Sequence, residues 1–251
     1  MRHIKEYNQL FESQQELTQE QRDWLDACTT GTWKVDPQTG LVDVDGSFNC
    51  NYQGLTDFKG VRFGHVERYF SCADNNLTSL EVAPQSVGGD FDCSHNELKS
   101  LEGAPRSVGG DFSCFYNSLT SLEGAPQEAR GYFACDHNML TSLKGAPQKV
   151  RFDFNLSHNQ ITSLEGAPQE VGGYLHCSGN PISVNAITNV IRRMSDRNVS
   201  LEQAVSSRWK TGEWDEIPEE DKPYLAKHNP DLSPEEKKEY AALERLKTRV
   251  I

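Results

Sequence analysis

LTSLEGAPQEARGYFACDHNM, residues 119–139, is one of five consecutive stretches built to the same design. LTSLEVAPQSVGGDFDCSHNE starts at Leu77 and LKSLEGAPRSVGGDFSCFYNS at Leu98. LTSLKGAPQKVRFDFNLSHNQ starts at Leu140 and ITSLEGAPQEVGGYLHCSGNP at Ile161. The period is 21 residues, without slippage. Two weaker copies precede them. VDGSFNCNYQGLTDFKG carries Phe48, Cys50 and Leu55, and RYFSCADNNLTSL carries Phe70, Cys72 and Leu77. The step between these two is 22 residues, so one residue is inserted near Val61 to Val66. Seven rungs are expected from about Leu41 to Val184. A fixed period of this size is the mark of a stacked repeat architecture.

Aligned by column, the rungs read as physical chemistry. Phe48, Phe70, Phe91, Phe112, Phe133, Phe154 and Leu175 form one column. Cys50, Cys72, Cys93, Cys114, Cys135, Leu156 and Cys177 form another, two residues on. A spacing of two puts both on one face of a short strand. Leu55, Leu77, Leu98, Leu119, Leu140, Ile161 and Ile182 follow, then Phe58, Leu80, Leu101, Leu122, Leu143 and Leu164. Four inward residues per rung cannot make a core alone, but stacking joins them into one. Asn75, Asn96, Asn117, Asn138, Asn159 and Asn180, with Gln53 on the first rung, lie between the cysteines and the leucines. A buried amide must be hydrogen-bonded, and a stacked Asn ladder meets that need from backbone groups. Pro84, Pro105, Pro126, Pro147 and Pro168 mark the bend opposite the strand. The pairs Gly88-Gly89, Gly109-Gly110 and Gly172-Gly173 are expected to turn the chain back into the strand. No stretch between rungs has the pattern of a full helix.

The chain has 251 residues, 36% hydrophobic, with 37 acids against 25 bases and a net charge of −12. The array from 41 to 183 holds nine bases and 17 acids, so most of the acidity lies there. Such a balance argues against nucleic acid as partner, since phosphate binding needs clustered Lys and Arg. A mean hydropathy of −0.66 with no long apolar run argues against a membrane span, and the first residues lack a secretory apolar stretch. Seven cysteines are an odd number. Leu156 replaces Cys in its column, so that column reads as a slot for a small hydrophobe, which free Cys fills. No C-x-x-C pair suggests zinc. Reduced thiols point to a cytoplasmic compartment. No cofactor is expected.

The order F-x-C-x-x-N-x-L-x-x-L-x-G-x-P resembles the leucine-rich repeat, and most of all its short bacterial class, over roughly residues 41 to 184. It departs in its GG step and in Cys at the second strand position. The resemblance implies a leucine-rich-repeat solenoid: a parallel β-sheet of about seven rungs with a non-helical convex side and helical N- and C-terminal caps. The S-L-E-G-A-P-Q repeats also resemble those of proteins encoded by tailed phages. Some effectors of this class are ubiquitin ligases with a catalytic Cys after the repeats. Here no Cys follows Cys177, so no enzyme activity is expected.

The resemblance further implies that residues alternating with the core line a concave face. Tyr69, Asp90, Asp111, Tyr132, Asp153 and Tyr174 precede the Phe column, and Asp92 and His176 follow it. Phe115 and Asp136, then His95, Tyr116, His137 and His158, follow the Cys column. This surface holds four of the seven His and no Lys or Arg. Aromatic anchors ringed by polar groups suit a protein partner, and the carboxylates suit a basic one. The alternative is a solvated sheet face on a rigid spacer, as in a phage structural or capsid-packaged protein; a secreted effector is a third reading. A metal at Asp136, His137 and His158 is conceivable. The Thr78, Thr120, Thr141 and Thr162 column resembles ice-binding lattices, but the adjacent Ser residues suit backbone bonds at a turn.

Residues 1–40 are expected to form a segment and cap helix, since Thr18 to Gln21 resembles a capping box ahead of Trp24, Leu25 and Cys28. Met1 to Ser13 resembles a capsid-targeting peptide, with Leu10-Phe11-Glu12 as its cleavage pattern. Residues 185–251 are expected to be a helical cap or tail, with helices at Ile187–Met194, Ser200–Trp209 and from Ser233.

Overall fold

A computed structural model describes residues 16–182 and, beyond them, only Pro234. The expected C-terminal helices and the Met1–Ser13 segment lie outside the described residues. The array is a parallel β-solenoid of about six turns.

Helix α1 (Gln19–Cys28) opens it, and both bonds of the expected capping box are present. Thr18 Oγ1 accepts from Gln21 N–H at 3.2 Å, and Gln21 Oε1 accepts from Thr18 N–H at 2.8 Å. Trp24, Leu25 and Cys28 are buried. The Trp24 ring meets Phe48 edge-on at 5.2 Å and closes the first turn. Gln53 replaces Asn in its column because its neighbour is the helix. It accepts from Trp24 Nε1–H at 2.8 Å and donates to Cys28 Sγ at 3.2 Å.

Strands β1 (Thr29–Val35) and β2 (Val42–Asn49) pair antiparallel. The later turns carry two strand columns. The first holds β4 (Phe70–Ser71), β6 (Phe91–Asp92), β8 (Phe112–Ser113), β10 (Phe133–Ala134), β12 (Phe154–Asn155) and β14 (Leu175–His176). The second holds β3 (Phe63–Val66), β5 (Ser86–Val87), β7 (Ser107–Val108), β9 (Glu128–Ala129), β11 (Lys149–Val150) and β13 (Glu170–Val171). Strand β2 spans both columns, pairing β3 with its first half and β4 with its second. The residue inserted between the first two rungs is absorbed in β3, where the register shifts opposite Val42 and Val44.

The second column corrects two expectations. The core takes six residues per turn instead of four: besides Phe, Cys and the two Leu, it takes Val66, Val87, Val108, Ala129, Val150 and Val171, and the Ala column before each Pro. The glycine pairs do not turn the chain by unusual dihedrals. They lie at the corner between the columns, where turns approach backbone to backbone. A Cβ on Gly88 would overlap the Glu67 carbonyl, and one on Gly109 the Gly88 carbonyl. Positive φ occurs instead at the opposite bend. There Ala125 N–H bonds the Leu122 carbonyl at 3.0 Å around Gly124, φ +94°, a type II turn that ends at the buried Pro126.

The Asn ladder works as expected. Asn117 Nδ2 donates to the Cys93 carbonyl of the turn before (3.0 Å) and to its own Cys114 carbonyl (3.2 Å), while Oδ1 accepts from Leu98 N–H (3.0 Å). Asn75, Asn96, Asn138, Asn159 and Asn180 repeat the scheme. The Phe rings follow one another turn upon turn, Phe112 stacked on Phe133 at 4.9 Å and 4°, Phe133 meeting Phe154 edge-on at 5.6 Å.

Candidate functional site

Two exposed bands run along the first strand column. One follows the Cys column. Its residues Tyr52, Asp74, His95, Tyr116, His137 and His158 all have φ between +51° and +59°. Their left-handed backbone is uncommon for non-glycine residues, and Gly179 continues it at +70°. The side chains therefore project as a single file. His95 stacks on Tyr116 at 4.6 Å, Tyr116 on His137 at 4.2 Å, and His137 on His158 at 4.4 Å, with interplanar angles of 17–24°. Phe115 meets His95 edge-on at 5.3 Å. The file ends at Gly179, where a Cβ would press on the His158 ring. At its other end Tyr52 bonds Asp74, which raises the phenol's pKa.

The second band follows the corner. Asp90 Oδ1 accepts from Asp111 N–H, Asp111 Oδ1 from Tyr132 N–H, and Asp153 Oδ1 from Tyr174 N–H, each at 2.8 Å. Asp43 does the same for His65 N–H in the first turn. In each case the residue before the bonded N–H is glycine (Gly110, Gly131, Gly173 and Gly64), because the carboxylate occupies the space of its Cβ. Where Tyr132 takes the Asp position, Phe152 takes the Gly position, and the two rings stack at 5.4 Å. Arg151 lies over Phe152 at 5.6 Å.

The structure thus divides the predicted face. His95, Phe115, Tyr116, His137 and His158 form one ring cluster, with His95, Tyr116 and His158 exposed and Phe115 and His137 half-buried. Tyr69, Tyr132 and Tyr174 stand 39–50% exposed along the corner, and His176 Nε2 lies 3.5 Å from Asp153 Oδ2. The carboxylates are bound within the fold. Asp90, Asp111 and Asp153 cap backbone; Asp92 holds Ser94 N–H and Oγ; Asp136 holds His137 Nδ1 at 2.8 Å and Asn155 Nδ2 at 2.9 Å. Phe152 escaped the sequence reading, although its break of the GG column was visible there.

His137 and His158 lie ring upon ring, which aims their nitrogens along parallel planes and not at one point. Among the described residues no group of three His, Cys, Asp or Glu is placed to hold an ion. The seven cysteines are buried, and none is in a disulfide. Desolvation pushes the thiols of Cys72, Cys93, Cys114 and Cys135 far up, so they are poor nucleophiles. Three of the four also donate to the next turn, Cys135 to the Asn155 carbonyl at 3.2 Å. Ser79, Ser100 and Ser163 each accept a backbone N–H two residues on, as expected of turn serines. Among the described residues no helix is long and apolar enough to cross a membrane.

No protein-family model matches the chain, and no curated protein matches it.

Proposed function

We propose that this chain is a non-enzymatic, leucine-rich-repeat-like binding module that displays the ring file to a protein partner in a reducing compartment. One observation carries the reading. His95, Tyr116, His137 and His158 are held at the surface, His137 half-buried and the others exposed, in a backbone conformation that costs about 1–2 kcal/mol per residue. Four residues share that cost, offset by the stack beneath them. The left-handed turn recurs on every rung, including Asp74 and Gly179, but a solvated face would fill it at less cost with Gly or Asn, and pre-set rings lose little freedom on association. The F-x-C-x-x-N-x-L order and the working Asn ladder support the leucine-rich-repeat kinship. The charge part of the expectation is weaker: with each predicted Asp bound internally, the rings carry the recognition.

The test uses Asn, the residue that best tolerates this backbone after Gly. A Tyr116→Asn, His137→Asn variant keeps the turn and removes two rings. Quantitative affinity capture should show a partner enriched by wild type and lost by the variant, with both chains folded by circular dichroism. Equal capture by both, or none by either, overturns the binding reading in favour of a rigid spacer.

A further inference from the structure

Among the described residues, no strand pairs with the outer edge of β1. In β2, Phe48 N–H bonds the Tyr69 carbonyl, the carbonyls of Gly46 and Val44 accept from Arg68 and Glu67, and Val42 N–H bonds the Arg62 carbonyl. These groups face the second turn, so their partners across the hairpin (Thr29, Gly31, Trp33 and Val35) must point the opposite way. Thr29 N–H is taken by the Leu25 carbonyl. Gly31, Trp33 and Val35 are left with N–H and C=O directed outward, and no described strand pairs with them. Gly31, Thr32, Lys34 and Val35 are exposed. Natural sheets blunt such an edge with proline, bulges, charged side chains or covering elements; of these, β1 (TTGTWKV) carries, among the described residues, the single charge of Lys34.

A groove of about 410 Å³ adjoins this edge, lined by Thr32, Trp33, Lys34, Asp43, Asp45 and Glu67 among others. Three acids thus line the groove beside Lys34 and His65; Asp43 caps His65 N–H and Glu67 meets His65 Nε2 at 3.2 Å, which leaves Asp45 as the open carboxylate. A second copy would bring acid to acid, whereas a basic strand complements the charge.

We propose that the free edge of β1 docks an extended, basic segment of a partner protein, which adds as a further strand. Its backbone pairs with Gly31, Trp33 and Val35. Its Lys or Arg side chains lie over the short Thr32 and reach Asp45. This surface is separate from the ring file.

The probe is a synthetic Val-Arg-Val-Arg-Val-Arg-Val peptide; the control has its central Val replaced by Pro. Peptide binding to the full chain is measured by anisotropy, and amide exchange by NMR. The alternating peptide should bind and slow exchange at Gly31, Trp33 and Val35. Val35→Pro removes an outward N–H that the hairpin does not use, so the fold survives while affinity falls about tenfold or more. Asp45→Lys should weaken binding similarly without touching the backbone. Equal binding of the proline control, unchanged affinity in both variants, or protection elsewhere would overturn the proposal. So would a concentration-dependent dimer of the free chain that Val35→Pro dissolves, which would make a second copy the occupant.

Discussion

Asn117 bonds four backbone groups with one amide, three carbonyls and one N–H on two turns. Asn117→Ala removes all four of these bonds. The expected loss is about 2–4 kcal/mol, read from the urea midpoint. Tyr116 tests the other side of residue-scale energetics. Tyr116→Asn forfeits three ring contacts, the stacks on His95 and His137 and the edge of Phe115, about 1 kcal/mol each. Tyr116→Val forfeits the same contacts and adds a β-branched side chain at φ +51°, so it should fall lower by a further 1–2 kcal/mol or so. The same urea titration compares them. Nothing in the types Tyr, His and Asp announces a left-handed backbone. The hint was Gly179 in their column, and one glycine among seven residues is easily read as a gap.

Between elements, the corner couples residues a full period apart. An Asp needs glycine above it, and Tyr132 instead meets Phe152. Tyr132→Asp alone sets a carboxylate beneath a phenyl ring and should destabilise. Phe152→Gly alone loses the stack. The double variant recreates the arrangement of Asp111 with Gly131, so its loss should undercut the sum of the single losses by about 1 kcal/mol or more in a double-mutant cycle. The first strand column was legible because Phe, Cys and Asn recur as distinctive chemistry at a spacing of two. The second was not, since its strands are two residues long and bury one small Val or Ala each. One inward residue makes no alternation. The glycine pairs beside it were misread for a related reason: a close approach between turns leaves no local signature.

Across the whole molecule the buried thiols act together. Burial raises the pKa of Cys50, Cys72, Cys93, Cys114 and Cys135 above that of an unfolded thiol. Below about pH 8.5 both states hold these protons and the contribution to stability is intact. As pH rises beyond that, the unfolded chain releases protons that the folded one keeps, and each thiol removes about 1.4 kcal/mol per pH unit. Stability should therefore fall steeply in alkali, and less steeply in Cys114→Ala, as urea midpoints between pH 7 and 10 will show. A thiol reagent should find no fast-reacting group in the native chain and all seven in denaturant.

The corner rule also bears on how such a chain can change over generations. A repeat of constant length invites unequal recombination, which copies or drops one unit of 21 codons at a time. Most of each unit is interchangeable, because the Asn, Phe and Leu positions meet the same neighbours on every turn. The corner is not. A unit bearing Asp can be followed by one bearing glycine but not by the unit of Phe152; Tyr132 accepts Phe152, whereas after Tyr69 the Arg68 backbone closes the Gly89 position to a side chain. The array thus carries an order-dependent grammar: duplications that respect it lengthen the solenoid freely, and those that break it are purged as misfolded.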